Sequence, residues 1–265
     1  MMSNNTVLVP IDLTEQTKEV AINVLNIAQK FNWTIYFVHP FSREEILSEH
    51  DPDKSMEELL TSMRAIFSNT LIQGEAVQGD LSEVILNINA TEEILLIVLI
   101  HEDVKSLKYS ALMGQLSTLM EKCHTPILTI PDIGKIKGIQ HIGLMSSFHA
   151  SEIESLEVVD NLFNHLASII AFHIYDKDAE RVNSQMNQWE LDVRGNISST
   201  NLTFLIYKSD DIISGLKSII YEYQLDLLVV TSISKSFVET LFSKNILKEL
   251  IHHPLITPTL FIKCS

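Results

Sequence analysis

The chain has 265 residues, 46% of them hydrophobic, which suits two domains of ordinary size that bury their cores without metal or disulfide staples. Nineteen basic against 34 acidic side chains leave a formal charge of -15, a field that repels phosphate backbones and anionic bilayers and so sets aside nucleic acid and membrane partners. Met1 to Asn5 has no charged segment followed by an apolar one, the longest apolar run is far too short to span a bilayer, and two cysteines without CxxC spacing, Cys123 and Cys264, build neither a disulfide framework nor a thiolate zinc site; a cytoplasmic protein is expected.

Thr6 to Ile11 is a β-rich apolar run. It is followed from Thr14 to Phe31 by Ala21, Val24, Ala28 and Phe31 at helical spacing. Trp33 to His39 reads as a second strand, and Arg43 to Asn69 as a helix interrupted near Pro52. Gln73 to Gln78 is a weaker third strand. Asp80 then caps a helix running to about Ala90, with Glu83 at the reciprocal capping position. Ile94 to Ile100 is apolar on every residue, which suits a strand covered on both faces in a parallel sheet. Ser110 to Lys122 is a fourth helix and Pro126 to Ile130 a fifth strand.

The pattern then recurs. Ile142 to Ser147 answers Val7 to Asp12, Ala171-Phe172-His173 answers Phe37-Val38-His39, Asp226 to Thr231 answers Leu95 to His101, and Thr257 to Ile262 answers Thr125 to Ile130, in the same order along the chain. Strands are predicted at Ile139 to Met145, Ala167 to His173, Leu202 to Tyr207, Leu225 to Val230 and Thr259 to Ile262. A helix over Lys177 to Arg194 packs Val182, Met186, Trp189 and Val193 on one face. Alternation of strand and helix with short connections predicts an α/β fold of two tandem, doubly wound, mostly parallel five-stranded sheets, Rossmann-like in type. The first domain is assigned to residues 1–133, the linker to 134–138 and the second domain to 139–265.

A strand ending Pro10-Ile11-Asp12, a strand ending in His39, the turn Gly79-Asp80-Leu81-Ser82-Glu83 and a Thr-Pro-Ile-Leu closing strand together resemble the universal stress protein family, over essentially the whole chain and twice. Nucleotide-binding members carry a loop after strand four with glycine, two residues, glycine, nine residues, glycine and Ser/Thr, where small residues let backbone N–H groups approach phosphates. The resemblance places His101, Val104, Gly114 and Gln115 at those positions in the first half, and Thr231, Ser234, Lys244 and Asn245 in the second. One glycine survives of six. Binders also use a carboxylate at the end of strand one and a backbone N–H after the strand-two histidine. The first half keeps Asp12 but has Pro40, which has no N–H; the second has Ile174 but puts Ser147 at the carboxylate position.

The resemblance therefore implies a tandem universal stress protein with degenerate nucleotide-binding loops, acting as a stress-associated binding or interaction module with no cofactor expected. The alternative is an ATP- or AMP-binding protein, weakly hydrolytic, using Asp12 and Gly114 of the first domain. Asp12, His39 and His101, near Glu102 and Asp103, are also weak metal candidates, set against ordinary hydrogen bonding at strand ends. Lys235-Ser236 and Lys244-Asn245 could hold an anion or simply be solvated, and His252-His253 suits a helix C-terminus. No nucleophile, base and orienting acid stand at a recognisable spacing, so enzymatic activity would rest on the resemblance alone. The resemblance further implies an intramolecular pseudo-dimer of the two domains through their fifth strands, and leaves a homodimer and a protein partner open.

Overall fold

A strand buried at every position needs neighbours on both sides, and β1 (Thr6–Pro10) has them in β2 (Thr34–Phe41) and β4 (Ile94–His101). The structure, a computed structural model, describes residues 5–43, 51–101, 107–131, 138–197, 201–232 and 257–263, without the side chains at 15–17, 101, 107–113 and 232. Its contacts separate two compact units, Met1–Gly138 and Ile139–Ser265.

In the first unit the strand order is β3-β2-β1-β4-β5, with β3 at Ile72–Gln78 and β5 at Ile127–Pro131, and every pair is parallel. Chain order runs outward from β1 to β3 and then returns to the other side of β1. The crevice between the carboxyl ends of β1 and β4 is thus the switch point, where open α/β sheets take ligands. Helix α1 (Glu15–Phe31) buries Val20, Ala21, Val24, Leu25, Ala28 and Phe31, a stripe of helical period.

Helix α2 (Pro52–Ile66) begins at the proline near which the sequence predicts a break, while residues 44–50 lie outside the described residues. Pro52 takes the first helical position, where no N–H is needed, and the Asp51 carboxylate accepts from the Lys54 N–H at 3.1 Å. In α3 (Leu81–Thr91) the cap is Asp80, which accepts from the Ser82 N–H at 2.9 Å. Helix α4 (Leu107–Lys122) leads into β5.

The second unit has the order β10-β9-β6-β7-β8, again all parallel, with β6 at His141–Met145, β7 at Ser168–Tyr175, β8 at Leu202–Lys208, β9 at Leu227–Ser232 and β10 at Thr259–Lys263. Helices α5 (Glu152–Leu162), α6 (Ala179–Asn196) and α7 (Ile212–Glu222) fall between them. This is the first unit's topology repeated, so its switch point lies between β6 and β9. Val182, Trp189 and Val193 of α6 are buried and Met186 is half-buried, the packing stripe the sequence predicts.

Strand register corrects the repeat by one residue. Leu8 faces Ile97, and its counterpart Gly143 faces Leu228, so His101 corresponds to Ser232 and Thr231 corresponds to Ile100. Pairing His101 with Thr231 failed because strand four is apolar on both faces, and such a strand carries no alternation to fix its phase.

Candidate functional site

Both switch points are built on the same frame. In the first unit the Ile11 N–H donates to the Val38 carbonyl at 2.8 Å, and in the second the Ser146 N–H donates to Phe172 at 2.9 Å. His39 Nδ1 then donates back to the Ile11 carbonyl at 2.8 Å, and His173 Nδ1 to the Ser146 carbonyl at 2.7 Å. A carbonyl only accepts, so each ring carries its proton on Nδ1. Three residues past the strand the backbone turns left-handed in each unit, at Leu13 (φ 61) and Phe148 (φ 59).

Around that frame the units diverge. Asp12 is exposed at the end of β1, and one carboxylate oxygen accepts from the Thr14 N–H at 3.1 Å and the Thr14 hydroxyl at 2.8 Å, a local turn that orders the approach to α1. Pro40 lies within the β2–β3 ladder, in register with Val77. His101 ends β4 opposite Pro131. Gly114 is not at a helix start: α4 begins at Leu107, and a glycine seven residues further in has its N–H inside the helix's own ladder, past the four free donors of the first turn. A side chain at Gly114 would meet nothing within 4 Å.

His39 is 3% exposed and its ring lies 6.3 Å from that of Phe41. Among the described residues no group of three or more His, Cys, Asp or Glu could hold a metal. Glu102, Asp103 and Val104, Ser234 to Ser236, Lys244-Asn245, His252-His253 and Cys264 lie outside the described residues. Cys123 is buried, and its thiol donates to the Leu119 carbonyl at 3.0 Å.

The second unit brings in a residue that sequence reasoning missed. Glu152, in the first turn of α5 and 1% exposed, turns its carboxylate back to the end of β6. It accepts from the Ser146 hydroxyl at 2.7 Å, the Ser147 N–H at 3.1 and 3.2 Å, the Ser147 hydroxyl at 3.2 Å, the His149 N–H at 2.9 Å and the Thr231 hydroxyl on β9 at 3.1 Å. A buried carboxylate from the helix thus stands beside Ser147. The sequence signal was slight: a glutamate three residues after His149 resembles half of a capping box, but nothing local points to Thr231.

Beside this network Trp189 donates its indole N–H to the His149 carbonyl at 2.9 Å, and Phe148 stands between the rings of His173 and Trp189 at 5.6 and 5.5 Å. A cleft of about 500 Å³ opens at the ends of β7 and β8, lined by His173, Ile174, Lys177, Arg181, Ser209 and Asp210 among others. Cations and carboxylates mix on its walls, so it offers no single sign of charge to a ligand.

Comparison with known proteins bears on the same geometry. Residues 3–131 match the Universal stress protein family. A universal stress protein from Archaeoglobus fulgidus DSM 4304 aligns over 100% of this chain and 100% of its own, with 14% identity and a TM-score of 0.73. A putative universal stress protein from Pseudomonas aeruginosa UCBPP-PA14 aligns over 98% and 93%, with 13% identity and a TM-score of 0.63. The cytoplasmic domain of a prokaryotic cation chloride cotransporter aligns over 97% and 94%, with 10% identity and a TM-score of 0.56. No curated protein matches. At these identities the likeness is one of fold.

Proposed function

The chain belongs to the universal stress protein family through residues 3–131, its second unit repeats their strand order, and from that premise we propose a tandem universal stress protein with degenerate nucleotide-binding sites that acts as a stress-associated binding or interaction module. The observation that carries the reading is Pro40. It occupies the position whose N–H would contact the base and sits in the β2–β3 ladder, so the first unit has no donor there. Gly114, deep in α4, supports the same conclusion for the phosphates, since the free N–H groups of a helix belong to its first turn. A module of this kind needs surfaces and no chemistry of its own. Pairing of the two domains, and any protein partner, belong to the same proposal. Among the described residues no helix is long and apolar enough to cross a membrane.

A second reading is favoured by one observation: Asp12 is exposed at the carboxyl end of β1, beside the first switch point. It would have this unit bind ATP or AMP in a mode that dispenses with the glycine loop. Native mass spectrometry with ATP, AMP and zinc added in turn separates the two readings. An unchanged mass at millimolar ATP supports the module. A nucleotide-sized increment that disappears in Asp12→Ala replaces it with the nucleotide-binding reading.

A further inference from the structure

The second switch point contains a receptor for a carboxylate. Two of its donors, the N–H groups of Ser147 and His149, are backbone and can only donate. The Ser146 hydroxyl is committed as well, because its oxygen accepts from the Phe148 N–H at 2.8 Å and its proton is turned to Glu152. Ser147 and Thr231 add two further hydroxyls, the last reaching across from β9. These groups converge from both strands that border the crevice, and the start of α5 adds the positive end of its dipole. A carboxylate offers about four acceptor sites, and the contacts of Glu152 occupy them.

We propose that Ser146, Ser147, His149 and Thr231 form a carboxylate receptor at the second switch point, and that Glu152 is its tethered occupant, closing that crevice to anions from outside. Ser146, Glu152 and Thr231 are all buried, so a free anion enters only where the glutamate is removed. The proposal extends the degenerate-site reading to the second unit but rests on different atoms. Nucleotide binding that depends on Asp12 would overturn that reading and leave this one untouched.

The test is chemical rescue in the full-length chain. Glu152→Ala leaves a space the size of a small carboxylate, and about 0.1 M formate or acetate is expected to raise its thermal midpoint by several degrees over the same concentration of chloride, following the linkage between ligand binding and stability. Wild type, and Glu152→Gln, which refills the receptor, should show no such difference between the salts. An equal response of Glu152→Ala to formate, acetate and chloride overturns the proposal, as does an equal formate response in all three proteins. If Glu152→Ala does not fold in chloride, it is refolded with each salt: recovery by formate or acetate alone supports the receptor, and failure in every salt overturns it.

Discussion

The Nδ1–H of His39 donates to the carbonyl oxygen of Ile11 at 2.8 Å, tying the end of β2 to the turn that follows β1. Both residues are 3% exposed, so water cannot replace the bond if the imidazole is lost. His39→Phe keeps an aromatic ring but leaves a buried carbonyl unpaired, a cost of about 1–3 kcal/mol. His173→Phe breaks the matching bond to Ser146 at a half-buried position, where water can compensate in part, and should cost less. Urea unfolding of the two variants checks the order. Equal midpoints for His39→Phe and wild type would show that the bond contributes nothing.

Two glycines should respond to alanine in opposite directions. At Gly143 in β6, a Cβ would meet Leu225 Cδ1 and, at 3.0 Å, Phe172 Cε1, so Gly143→Ala overpacks the core and should cost about 1–3 kcal/mol. At Gly114 a Cβ meets open space within an α-helix, and Gly114→Ala should stabilise by about 0.5–1 kcal/mol. The second variant also reports on function. The module reading expects Gly114→Ala to leave its behaviour toward ATP unchanged, whereas the nucleotide-binding reading expects weaker binding. Denaturant midpoints read the first effect and an ATP titration the second.

The fold was legible wherever local chemistry and tertiary demand agreed. Ile94 to Ile100, apolar throughout, is a central parallel strand, and Asp80 caps its helix as its spacing indicates. Pro52, with Asp51 before it as the cap, marks the start of α2, because proline is excluded from helix interiors and favoured at helix starts. The site was less legible because its partners are distant in sequence. Thr231 reaches Glu152 across 79 residues, and Trp189 reaches His149 across 40. Composition and periodicity do not register such pairs, so the contact of Glu152 with Ser147 and Thr231 was not legible.

Tyr36 on β2 supplies a prediction in alkaline solution. Its half-buried phenol is held above its ordinary range by burial first, then by a hydrogen bond to Glu75 and that carboxylate's charge, then by the charge of Glu92. All of these disfavour the phenolate, so the folded chain holds this proton more tightly than the unfolded chain does. The sign follows from linkage. The contribution is fully present below the unfolded phenol's value of about 10, and it is lost as rising pH ionises Tyr36 in the unfolded chain but not yet in the folded one. Tyr36→Phe has no proton to lose at this position, so its urea midpoint should fall less steeply than that of wild type above about pH 10. Parallel alkaline slopes for the two proteins would place the shift elsewhere. Glu75→Gln separates the causes: it removes the neighbouring charge while burial remains, so its slope should lie between those of wild type and Tyr36→Phe.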